Sequence, residues 1–174
     1  MGKKGWILKI TLVSIVTSVV FTLVSTEVLS GAGYIAAFIT LMFFVALGIV
    51  FDVIGVAVTA AVEAPFHSMA AHHERGATEA IALIKNADKV SSVCNDVVGD
   101  ISGIVSGTMA ALFAARLALS FSASGLLLQL VISGAVTGLM IGGKAAGKNL
   151  AINNTNTIIL RIGKILSFFS RTGK

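Results

Sequence analysis

Between Tyr34 and Val62 the chain reads YIAAFITLMFFVALGIVFDVIGVAVTAAV, 29 residues whose sole charged side chain is Asp52. About 20 helical residues cross a hydrocarbon layer roughly 30 Å thick. The run is therefore longer than a bilayer needs, and it is expected to tilt or to protrude on the cytoplasmic side. Pro65 falls just past its end.

Other apolar runs lie on both sides of this one. A span is expected from about Trp6 to Leu29, with an interfacial tryptophan at its start, Glu27 near its end and a Ser30-Gly31-Ala32-Gly33 turn behind it. Lys3, Lys4 and Lys9 give this end the look of a signal sequence. Its apolar run exceeds the ~7–15 residues of a cleaved signal, so it reads as a retained anchor. Further spans are expected over 95–119 and 125–141, joined by a short Ser120 to Ser124 turn as an antiparallel hairpin. Residues 66–92 form the extended polar stretch, in which Ala77, Ala80, Ile81 and Ile84 recur at helical spacing; a cytoplasmic amphipathic helix follows. Residues 157–171 set Ile158, Ile159, Ile162, Ile165, Leu166 and Phe169 against Arg161, Lys164 and Arg171, the pattern of a basic belt helix in the headgroup zone.

Composition agrees with an all-α, polytopic membrane bundle of about four transmembrane helices in a single domain, 1–174. The chain is 56% hydrophobic and 12% charged, with mean hydropathy +0.95, against about 25% charged residues in soluble domains. A water-soluble core of this size could not hide so much apolar surface. The net charge of +5 comes from lysines and arginines beside apolar runs, which suits anionic lipid headgroups rather than nucleic acid. One cysteine, Cys94, excludes an internal disulfide. Basic residues gather near the amino end, in 66–92 and after Ile141, while the two outer turns hold none. Both termini are thus expected in the cytoplasm of a cell-membrane protein, with Arg116 toward the outer side, snorkelling to the interface.

Small residues recur at i, i+4 in Gly99, Gly103, Gly107 and in Gly134, Gly138, Gly142, the spacing that lets helix backbones approach in lipid. The third and fourth spans are expected to pack tightly on them, and a homodimer fits the same faces.

Polar groups inside these runs are the functional candidates. A carboxylate in a membrane costs about 2.5–3.5 kcal/mol on insertion scales, so Asp52 should face a partner or water inside the bundle. Helical spacing puts Asp52, Gly55, Thr59 and Glu63 on one stripe, and Asp96 and Asp100 on one face of the next span. Like charges four residues apart repel, unless a cation or a helix amino terminus is near; capping by Asp96 is one reading. Asp52, Thr59, Glu63, Asn95, Asp96, Asp100 and Ser106 together offer the oxygen ligands that hard divalent cations, magnesium above all, prefer. Interhelical hydrogen bonds would use the same groups. His67, His72 and His73 read as a solvated loop before a softer-metal site. No nucleophile–base set can be placed, and Gly142 to Lys148 lacks the phosphate-loop spacing, so no enzyme is expected.

Ala60-Ala61-Val62-Glu63-Ala64-Pro65-Phe66-His67-Ser68-Met69 resembles the "E-T-A-hydrophobic-S" end of the first span in the CorB/CorC/cyclin-M magnesium transporter membrane domain. Arg75 to Ala80 followed by Leu83 to Val90 is similar to that family's cytoplasmic "G-x-x-x-A … L-x-x-N-P-x-x" helices, and Cys94 to Gly99 to its "G-N-x-x-x-N". Gly143 to Lys148 stands at its "G-E-x-x-P-K". The resemblance covers about residues 34–172 and implies three core spans, a belt helix, a dimer and export of a divalent cation coupled to sodium, with Asn95 and Glu63 on motif positions. Lys144, Gly99 and Gly147 depart from the family's glutamate, second asparagine and proline. Lys144 is accordingly an ion-site charge partner: Asp52, Asp96 and Asp100 supply replacement charge, or Lys144 pairs with one of them and leaves no metal site. The leading expectation is a cation transporter for magnesium or a similar divalent ion, with sodium or protons as alternatives. A non-transporting scaffold or partner subunit with the same fold is the other reading.

Overall fold

The computed structural model describes residues 3–31, 33–121 and 125–171. All secondary structure among them is helical: α1 Lys3–Gly31, α2 Tyr34–Ala60, α3 Glu63–Ala71, α4 Ala77–Lys85, α5 Ala87–Ser91, a π-helical segment Ser92–Gly99, α6 Asp100–Phe121, α7 Gly125–Asn153 and α8 Thr155–Arg171. Ala32 and Ser122 to Ser124, which belong to the two turns expected between the spans, and the side chains of Lys3, Lys4 and Arg171 lie outside the described residues.

Four helical stretches are long and apolar enough to cross a membrane: Gly5–Val28, Tyr34–Ala60, Ala87–Ser120 and Gly125–Asn153. The protein is a membrane-embedded helix bundle. α2, α6 and α7 pack on one another, and α1 rests on their outside. Among the described side chains of α1, Ser25 is the one that is buried. Leu41, Phe44 and Val45 of α2 interlock with Val105 and Met109 of α6 and Val136 and Met140 of α7 to form the main core. At one end the Tyr34 hydroxyl lies 2.6 Å from Ser120 Oγ.

At the other end Val58, Phe66, Ala80, Ala151 and Ile159 form a second cluster that joins the connection α3–α5 to α8. Phe66 and Ile159 are fully buried there. α4 and α8 cross backbone to backbone: a Cβ at Gly163 would overlap the Gly76 carbonyl oxygen, and one at Gly76 would lie 2.6 Å from Gly163 C. Gly76 also has φ +85°, a left-handed geometry open to glycine at little cost. Lys89 sits 5.7 Å from the Trp6 ring centroid, a cation–π contact between α5 and α1 at this same end.

Four boundaries differ from expectation. α2 ends at Ala60, because Ala61 (ψ 144°) and Val62 (φ −106°, ψ 135°) are extended. The single amphipathic helix foreseen over 66–92 is broken, with His73 at φ 56° and Gly76 in the left-handed region. The third span begins at Ala87 rather than Asn95 and contains the π-helical turns. The fourth runs to Asn153 instead of ending near Ile141; Gly147 stands where the resemblance has a proline, and nothing there removes a backbone donor. The glycine expectation holds in part: a Cβ at Gly103 would lie 3.2 Å from Met140 Cε and one at Gly99 3.6 Å from Lys144 Nζ, both on α7, while Gly107 faces open space. Gly134, Gly138 and Gly142 have open space where a Cβ would go, whereas Gly143 and Gly147 carry the close approach of α7 to Ile49 and Val53 of α2.

Candidate cation site

Asp52 lies five residues past the midpoint of α2, and Lys144 five past that of α7. At 1.5 Å per residue both sit about 8 Å from mid-helix, toward the end that holds α3–α5 and α8. Asp100 opens α6, directly after the π-helical segment. Three spans thus deliver three ionisable groups to one level of the bundle.

The Lys144 ammonium is 3.7 Å from Asp52 Oδ1 and 3.6 Å from Asp100 Oδ1. Both distances exceed the 2.7–3.2 Å usual for an N–H···O hydrogen bond. The ammonium is held between the carboxylates by charge. Asp52 and Lys144 are shielded, at 19% and 24% side-chain exposure, whereas Asp100 is 67% exposed and opens the cluster to one side. Two carboxylates and one ammonium leave a formal charge of −1.

Two orphan oxygens flank this cluster: Asn95 Oδ1 and Ser102 Oγ are buried without a hydrogen-bond partner. In the hydrocarbon region no water relieves such groups, and each costs several kcal/mol unless something else does. Their placement follows from glycines on α2. A Cβ at Gly55 would overlap the Asn95 amide; one at Gly48 would lie 3.3 Å from both the Gly99 carbonyl oxygen and Ser102 Cβ. Gly48 and Gly55 are seven residues apart, as are Asn95 and Ser102, so the two helices meet in register with Asp52 between. The Cβ position of Gly99 lies 3.6 Å from Lys144 Nζ and 3.8 Å from the Gly48 carbonyl oxygen. A polar seam therefore runs from Ser102 past Gly99, Lys144 and Asp52 to Asn95. π-helical turns recur at functional sites, and here they carry Asn95 and Gly99.

Of the seven expected oxygen ligands, the structure brings Asp52, Asn95 and Asp100 to this seam. It places the other four elsewhere. Thr59 donates to its own helix, to the carbonyls of Gly55 (3.3 Å) and Val56 (3.0 Å). Glu63 belongs to α3 because the break at Ala61 and Val62 turns it off the Asp52 stripe; its Oε2 lies 3.2 Å from His67 Nε2. Asp96 is exposed. Ser106 is buried a turn farther along α6, donating to Gly103 O (3.1 Å) and facing Met140 Sδ at 3.7 Å. His72 and His73 are exposed, and among the described residues no three His, Cys, Asp or Glu side chains gather closely enough to hold a metal ion. Ser102 was missed; its signal was the seven-residue spacing from Asn95, opposite that of Gly48 and Gly55.

The fold and site define a membrane helix bundle with an acid–lysine–acid cluster between its spans. No family model matches the chain, and neither curated proteins nor solved structures match it.

Proposed function

We propose that the protein is a membrane transporter of a cation, magnesium or another divalent ion, which moves along the seam between α2, the π-helical segment and α7. The observation that carries this reading is the pair of unpartnered buried oxygens, Asn95 Oδ1 and Ser102 Oγ, on either side of Asp52, Lys144 and Asp100. Ionisable groups inside a bilayer are costly and are kept where an ion or proton passes. Neutral oxygens with open valence beside carboxylates suit a hard cation that retains some of its water. The order of motif-like segments resembling the CorB/CorC/cyclin-M membrane domain supports the same class. Sodium or proton coupling belongs to this proposal, as do a cell-membrane location with both termini in the cytoplasm and a homodimer. The exposed Asp100 and the open Gly134–Gly138–Gly142 face favour a second copy, since an exposed carboxylate at this level is better placed against protein than lipid.

The test is magnesium flux into proteoliposomes made with the purified chain. Asp52→Ala and Asp100→Ala should each abolish it; unchanged flux in both refutes the proposal. One observation favours a second reading. Lys144 pairs with both carboxylates, as it would in a structural ion triad of a non-transporting scaffold or partner subunit. That reading requires an absence of flux from the wild-type chain together with a stoichiometric membrane partner recovered by pulldown.

A further inference from the structure

We infer that Lys144 is a tethered occupant of the cation position: its ammonium holds the place between Asp52 and Asp100 while the site is empty, and the transported divalent ion displaces it. The inference rests on the transport reading and assigns a role to the one residue that argues against it. Lys144 Nζ is nearly equidistant from the two carboxylates, at 3.7 and 3.6 Å, where a bound cation would sit to be shared by them. Neither separation is a formed hydrogen bond, so leaving breaks no directional contact. A lysine ammonium is a compact charge on a flexible four-carbon stem. It can withdraw by snorkelling toward the headgroup zone on the α8 side, the nearer end of α7. Gly143 and Gly147 near it let Ile49 and Val53 of α2 close against α7, which keeps Lys144 beside Asp52 while the site is empty.

Charge counting gives the exchange its specificity. With Lys144 in place the site carries −1, too little to neutralise a divalent ion. With Lys144 withdrawn it carries −2, which a divalent ion neutralises. Ser102, fully buried with an unpartnered hydroxyl, and Asn95 then offer neutral oxygens to a divalent ion, which takes six or more oxygen ligands. The returning lysine compensates the empty site. Such a site resets without a second ion, so net movement does not require obligatory exchange.

The experiment uses the full chain in phosphatidylcholine nanodiscs, titrated with Mg²⁺ by calorimetry and probed in parallel with an amine-acetylating reagent read out by peptide mass spectrometry. Saturating Mg²⁺ should raise the acetylation rate of Lys144 at least about threefold while that of the exposed Lys148 stays constant. Lys144→Gln, checked for helical content and monodispersity, should bind Mg²⁺ roughly tenfold tighter because its competitor is gone. If Asp52→Asn weakens binding but Mg²⁺ leaves Lys144 acetylation unchanged, or Lys144→Gln binds no tighter, the displacement idea is overturned and the ion site stands. If Asp52→Asn binds as the wild type does, or neither wild type nor Lys144→Gln binds, the transport reading falls and takes the inference with it.

Discussion

The crossing of α4 and α8 sets two opposing effects of known size against each other. Gly163 lies inside α8, so Gly163→Ala gains helix propensity worth about 0.8–1.0 kcal/mol. Its new Cβ would overlap the Gly76 carbonyl oxygen and lie 3.1 Å from both Gly76 C and Ala80 N. These are backbone atoms and cannot rotate aside, so the helices must part. Overpacking of this kind costs about 1–3 kcal/mol, and the net effect is a loss of up to about 2 kcal/mol. Gly76→Ala has no propensity gain to offset it, because Gly76 precedes α4. It adds a left-handed penalty of about 1–2 kcal/mol to contacts of 2.6 Å with Gly163 C and 2.9 Å with Lys164 Cα, for a loss of ~2–5 kcal/mol. Thermal unfolding of micelle-solubilised protein should rank wild type above Gly163→Ala above Gly76→Ala. Hydrogen exchange should localise the loosening to residues 155–171. A Gly163→Ala protein more stable than wild type would mean that propensity alone is being read, and that the two backbones do not touch.

Two further outcomes follow from burial. Phe66→Ala removes a fully buried ring from the cluster beneath α3, α4 and α8, and should cost about 3–5 kcal/mol in the same unfolding assay; a loss below 1 kcal/mol would contradict its placement. Ser102→Ala deletes a buried hydroxyl without a partner, so it should leave stability unchanged or raise it by up to ~2 kcal/mol while lowering magnesium flux. A destabilised Ser102→Ala would show that the hydroxyl is satisfied by the protein and is no ion ligand.

The spans were legible because lipid imposes a length and a composition that Tyr34 to Val62 meets without a helical period having to be found. Asp52 was legible for the same reason, as the one charge in that run. Glu63 misled, since a stripe drawn at 3.6 residues per turn presumes a continuous helix, and two extended residues at Ala61 and Val62 turn it away. Likewise the i, i+4 rule selects Gly134, Gly138 and Gly142 without saying which face of α7 meets α2. Gly143 and Gly147 share that spacing, and tertiary packing chooses them. Lys144 was legible as a charge partner, but its sharing between two carboxylates depends on three helices meeting at one level. Ser102 was harder to see because serine is common at helix contacts; its seven-residue spacing from Asn95 gains meaning only once that helix is set against Gly48 and Gly55 and the hydroxyl is found buried without a partner.

The π-helical stretch Ser92–Gly99 also links distant parts of the chain mechanically. Its i→i+5 turns take more residues per revolution than α-helix does, so it acts as a partly unwound section of shaft between α5 and α6. Rewinding it into α-helix would twist α5, with its grip on Trp6, by well over a quarter turn relative to Asp100.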